Sequence, residues 1–133
     1  MRRFLSALLV SLALPLAGTG CGKAAYGRDD LQESLAKHYI NLRWGRLANA
    51  ASYVSPELRP AFVEDWEKRA QAIELQDFDV VQVTVSEDGD TAEVLVQLSW
   101  VENATMSLKS ARLAQTWVRT DEGWRTTNLL ELP

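Results

Sequence analysis

The sequence has one cysteine, one histidine and no apolar run of the length a membrane-spanning helix needs, roughly 20 residues. A single thiol cannot form an internal disulfide, so the core must hold the fold. One cysteine and one histidine also leave no clustered thiolates and no paired imidazoles for a metal. No glycine-rich phosphate loop is present, and no metal or cofactor is expected. Positive charge is scarce as well, with 14 Lys and Arg against 18 Asp and Glu, a net charge of −4. That balance excludes the basic face that nucleic acid requires and the polybasic patch that anionic lipid attracts.

What is present begins at the N-terminus. Arg2 and Arg3 form a charged start, Phe4 to Leu16 an apolar stretch, and Ala17-Gly18-Thr19-Gly20 a run of small residues before Cys21. A positive end, an apolar middle of this length and small residues before a cut are the parts of a secretory signal. A membrane anchor is the rival reading, but Pro15 and the glycines after it break the helical run. Gly18-Thr19-Gly20-Cys21 resembles a bacterial lipobox, with Gly18 where Leu is usual. The resemblance implies cleavage before Cys21 and acylation there, whereas ordinary signal cleavage would leave a free thiol. Several acyl chains hold a protein firmly on a bilayer where a single chain does not. Gly22, in place of an Asp, implies by the same resemblance the outer membrane, facing the periplasm. The expected division is a signal at 1–20, a lipidated tether at 21–27 and one domain at 28–133. Loss of residues 1–20 removes Arg2, Arg3 and no acid, leaving 12 bases against 18 acids.

The remaining chain suits a single domain with its own core. Its five tryptophans are expected mainly inside that core. Asp30 and Glu33 suggest a capped helix start, followed by Leu31, Leu35, Tyr39 and Leu42 at helical spacing. Gly45 interrupts the pattern, Leu47 to Val54 form a short second helix, and Ser55-Pro56-Glu57 signal the start of a third. Leu58, Phe62, Trp66, Ala70 and Ile73 mark that helix's apolar face. After about Glu74 the period changes to two. Strands are expected over Phe78–Val85, Ala92–Trp100, Met106–Arg119 and Trp124–Leu130, joined by turns at Glu87-Asp88-Gly89-Asp90, Glu102-Asn103-Ala104 and Thr120-Asp121-Glu122-Gly123. Helices first and hairpin-linked strands afterwards predict an α+β fold, with the helices on one face of an antiparallel sheet of about four strands.

This order resembles the nuclear transport factor 2-like superfamily, the cystatin-like cone. The residues that carry the resemblance are the first helix, the break at Gly45, the short helix before Ser55-Pro56-Glu57-Leu58 and the closing hairpin Trp117 to Arg125. The resemblance implies a curved sheet wrapped over its helices around a conical cavity. It also implies two possible uses of that cavity, binding or an isomerase- or cyclase-type reaction that places a buried Asp and Tyr inside. Tyr39, Tyr53, Asp65, Asp77 and Asp79 are present, but none stands in a motif that assigns it a catalytic role. His38 has no partner at metal or catalytic spacing and reads as packing or surface placement.

Amides on strand faces are the better candidates for a ligand cavity. Gln82 is expected on a face with Phe78 and Val80, Gln115 with Leu113 and Trp117, and Asn128 with Trp124 and Leu130. A filled cone in which these amides bond locally is the competing expectation. The expectation for function is a lipid-anchored bacterial envelope domain that binds an envelope protein or a small apolar ligand without catalysis. A small-molecule isomerase- or cyclase-like enzyme and a structural subunit of an envelope assembly are the alternatives.

Overall fold

Leu31, Leu35, His38, Tyr39 and Leu42 are all buried and fall on one side of a helix, which sets the first packing surface of the domain. In a computed structural model, which describes the backbone of residues 23–133 and side chains from Asp30, this helix is α1, Lys23–Arg43. It starts seven residues before Asp30, so the expected cap at Asp30 lies inside the helix, and residues 23–27 of the expected tether are helical. The signal and Cys21 lie outside the described residues. No helix among the described residues is long and apolar enough to cross a membrane.

α1 stops at Gly45. The Gly45 amide donates to the Leu42 carbonyl and the Arg46 amide to the Asn41 carbonyl, while Gly45 takes a φ of +69°. This pair of reversed bonds satisfies the last helical carbonyls and needs a left-handed residue at its centre. α2, Leu47–Ala51, and α3, Arg59–Arg69, follow. The Ser55 signal does not cap α3 directly. A 3₁₀ turn, Pro56–Leu58, intervenes, and the Ser55 hydroxyl donates instead to the carbonyl of Thr126 at 3.1 Å.

Four strands form one antiparallel sheet in the order β1 (Ile73–Val85), β2 (Thr91–Glu102), β3 (Ser107–Thr120) and β4 (Gly123–Thr126). The fold is therefore α+β, helices followed by a curved four-stranded sheet, as expected. β2 alternates cleanly, with Ala92, Val94, Val96, Leu98 and Trp100 buried. β1 does not alternate. Leu75 and Phe78 are three residues apart, as are Val80 and Val83, and a strand of strict period two cannot turn all four to one side. Two bulges, at Gln76 and Val81, absorb the extra residues. Leu75, Phe78, Val80 and Val83 consequently pair with Trp100, Leu98, Val96 and Val94, all on the helix-facing side. Bulges also bend a strand, which is how β1 curves around the helices.

The last strand ends sooner than expected, at Thr126. Its free edge is closed by the chain between α2 and the 3₁₀ turn. The Ser55 amide donates to the Thr126 carbonyl at 2.9 Å and the Thr126 amide to the Tyr53 carbonyl at 2.8 Å. Tyr39, Trp66, Trp100, Trp117 and Trp124 fill the space between sheet and helices. A buried aromatic is worth roughly 3–5 kcal/mol against alanine, so these rings dominate the core.

Candidate functional site

Inside the curve of the sheet three polar side chains meet. Tyr39 on α1 donates its hydroxyl to Gln115 Oε1 at 2.5 Å, and Trp117 donates its indole N–H to the same oxygen at 3.1 Å. Gln115 and Trp117 stand on one face of β3 because they are two residues apart. α1 brings Tyr39 over them, and its ring stacks on Phe78 at 5.4 Å between centroids. Burial pushes the Tyr39 phenol well above its ordinary pKa. Its proton is already engaged, so it is a poor acid or base at neutral pH.

His38 lies beside this group. Its Nδ1 is 2.8 Å from the Ala50 carbonyl, and since a carbonyl only accepts, Nδ1 carries the proton. Burial lowers its pKa to about 4, with the Ala50 bond acting weakly in the opposite direction. It is therefore a neutral core residue that ties α1 to α2.

The three amides singled out in the sequence do not converge. Gln115 is buried in the group just described. Gln82 lies just beyond the Val81 bulge, pairs with Leu95 and is exposed on the far face of the sheet, opposite to Phe78 and Val80. The apolar spacing of three residues between Val80 and Val83 is the signal that would have shown this change of phase. Asn128 lies beyond β4. Its Oδ1 accepts from the Thr116 amide at 2.8 Å and its Nδ2 faces the Ala114 carbonyl at 3.4 Å, so it continues the edge pairing of β3 with a side chain.

A different set of residues forms an open cleft of about 600 Å³ between the C-terminal ends of α1 and α3 and the start of β1. Its apolar lining is supplied by Leu42, Leu47, Trp66, Ile73 and Leu75, with Trp44 at the rim. Trp44 is 66% exposed, unlike the other four tryptophans, which are buried. The expectation that tryptophans fill the core holds for those four. Trp44 sits off the Leu35–Tyr39–Leu42 stripe, and that position in the helical repeat was the available sign of its exposure. The Arg43 guanidinium lies over the Trp44 ring, 5.5 Å from its centroid. Glu67, Glu74 and Asn103 complete the polar part of the lining. The volume is within the range of small-molecule sites. Among the described residues no group of three or more His, Cys, Asp or Glu could hold a metal ion.

No protein-family model matches the sequence, and no curated protein is similar to it. Solved structures do resemble the fold. A ketosteroid isomerase-like protein from Erwinia carotovora atroseptica superposes with a TM-score of 0.59 at 11% identity, over 80% of this chain and 92% of its own. A proposed polyketide cyclase from Xanthomonas campestris pv. campestris gives 0.60 at 14% identity, over 77% and 90%. A nuclear transport factor 2-like protein with a cystatin-like fold from Novosphingobium aromaticivorans gives 0.57 at 17%, over 77% and 79%. Identities this low establish a shared cone-type fold and leave the chemistry to each chain's own residues.

Proposed function

We propose that this chain is a bacterial envelope lipoprotein, held through lipid on Cys21 at the outer membrane and facing the periplasm, whose domain binds a small apolar ligand without catalysis. The observation that carries the reading is the cleft, an apolar concavity with an exposed tryptophan at its rim. Water-exposed aromatic area of this kind is costly to leave uncovered and favours an apolar occupant.

The fold fits either ligand binding or an enzyme, and neighbours of this fold carry isomerase-like and cyclase names. The non-catalytic reading is supported by the inner polar groups. Tyr39, Gln115 and Trp117 satisfy one another, and His38 is fixed on a backbone carbonyl. A catalytic acid or base needs reach to a substrate atom, and these four groups are buried.

Two measurements test the proposal. Cys21→Ser should abolish incorporation of labelled fatty acid and release the chain from membranes; unchanged labelling sinks the anchor. A neutral naphthylamine dye should bind the full chain saturably, and Ile73→Asp, which places a charge in the lining, should weaken it at least tenfold. Equal binding by that variant removes the cleft as the site.

A further inference from the structure

We infer that the ligand of this cleft carries a positive charge on its apolar body. The inference rests on reading the cleft as a ligand site and adds the sign of the head group.

Glu67, near the end of α3, and Glu74, at the start of β1, both line the cleft and are both exposed. Neither takes part in an ion pair among the described residues. The bases nearest to them in sequence are used elsewhere. Lys68 turns to Glu64 at 3.0 Å and Arg69 to Asp65 at 2.9 Å, each one turn back along α3. Arg69 also lies against the Trp66 ring and donates to the Leu130 carbonyl. The C-terminal turn of α3 thus satisfies its own bases and leaves Glu67 facing the cleft.

Arg43 is the basic residue of the lining, and its guanidinium is placed over Trp44. One Arg against two Glu gives the lining a net charge of −1. An ammonium group on an apolar chain could sit by Glu67 and Glu74 with its chain along Trp66, Ile73 and Leu75. A sulfate or carboxylate in the same place would meet two like charges.

The test uses the full chain carrying Cys21→Ser and three ten-carbon probes below their micelle concentrations: decyltrimethylammonium, decyl sulfate and decyl maltoside. Titration calorimetry should show the cation binding about tenfold more tightly than the anion, with the neutral sugar between, as two partly exposed charges would give. Glu67→Gln with Glu74→Gln leaves Arg43 as the charge of the lining and should remove the cation's advantage, the anion then binding at least as tightly. Two results overturn the inference while leaving the cleft as a ligand site. One is an anion bound as well as the cation. The other is a cation preference that survives in the double variant, which would then belong to the chain's overall negative charge. Absence of saturable binding by all three probes overturns the ligand-site reading itself.

Discussion

His38 shows how much of one residue's role the sequence discloses. Its place at the edge of the apolar stripe of α1, with no acidic or metal-binding partner, left packing or surface placement open, and the structure buries it. Its surroundings could not be predicted. They come from α2 and the chain after it, α3 and β3, which bring Ala50, Tyr53, Phe62 and Trp117 around the ring, with centroid distances of 5.6 Å to both Phe62 and Trp117. The same limit applied to Gln115. Its position on the inner face of β3 was legible from period two, but Tyr39, 76 residues away, could not be assigned as its donor. The burial of His38 has a thermodynamic consequence. Its pKa falls from 6.5 to about 4 on folding, so the unfolded chain takes up a proton that the folded chain refuses. The stability held above pH 6.5 is therefore lost as pH falls from 6.5 to 4, by about 3 kcal/mol in order of magnitude. Urea midpoints should decline through that window for the native chain. His38→Asn should be less stable at neutral pH and should lack this part of the decline. Parallel pH profiles for the two would show that another group is responsible.

At the scale of elements, types and order were readable and phases were not. The stripe of α1, the two-residue period of β2 and the glycine turns are local signals and appear where expected. The expected face of the third helix holds only for Phe62 and Trp66: Leu58 falls in the 3₁₀ turn, Ala70 is exposed and Ile73 already opens β1. The bulges of β1 were missed because a bulge is decided by the pairing partner. β2 offers Trp100, Leu98, Val96 and Val94 in strict alternation, and β1 must add a residue twice to meet them. Ser55 was misread for a similar reason, since β4 offers its hydroxyl a carbonyl that no local pattern reveals. Gly45 was legible, and its cost can be isolated. A Cβ added there meets nothing within 4 Å, so the penalty of substitution is conformational alone. Gly45→Ala should lower unfolding free energy by about 1 kcal/mol, and Gly45→Asn by less, because asparagine tolerates the left-handed region. Equal stability of Gly45→Ala and the native chain in urea would mean that the end of α1 is not held in this conformation.

At the scale of the molecule, charge and apolar surface are separated along α1. The groove at the N-terminal half of α1 brings Asp30 and Glu33 together with Asp121 of the β3–β4 turn. The Arg119 amide bonds to the Asp90 carbonyl, which sets the acidic β1–β2 turn beside the same end. Lys37 there is paired with Glu33, and Arg119 and Arg125 lie over the rings of Trp124 and Tyr53. The cleft and Trp44 lie at the C-terminal end of the same helix, where Arg43 is about 20 Å from Asp30 at 1.5 Å per residue. If Cys21 carries lipid as proposed, the end of α1 nearest the bilayer would be the acidic one. Among the described residues that end carries no basic patch to draw it onto anionic headgroups, so the domain should stand with its cleft directed to water. Tryptophan quenching can read this orientation. In vesicles of phosphatidylethanolamine and phosphatidylglycerol, aqueous acrylamide should quench a fluorescence component that disappears in Trp44→Phe. Brominated acyl chains should quench the native protein and Trp44→Phe equally. A Trp44 component reached by the brominated lipid and shielded from acrylamide would place the cleft on the membrane, reverse the orientation and make the bilayer itself the source of the apolar ligand.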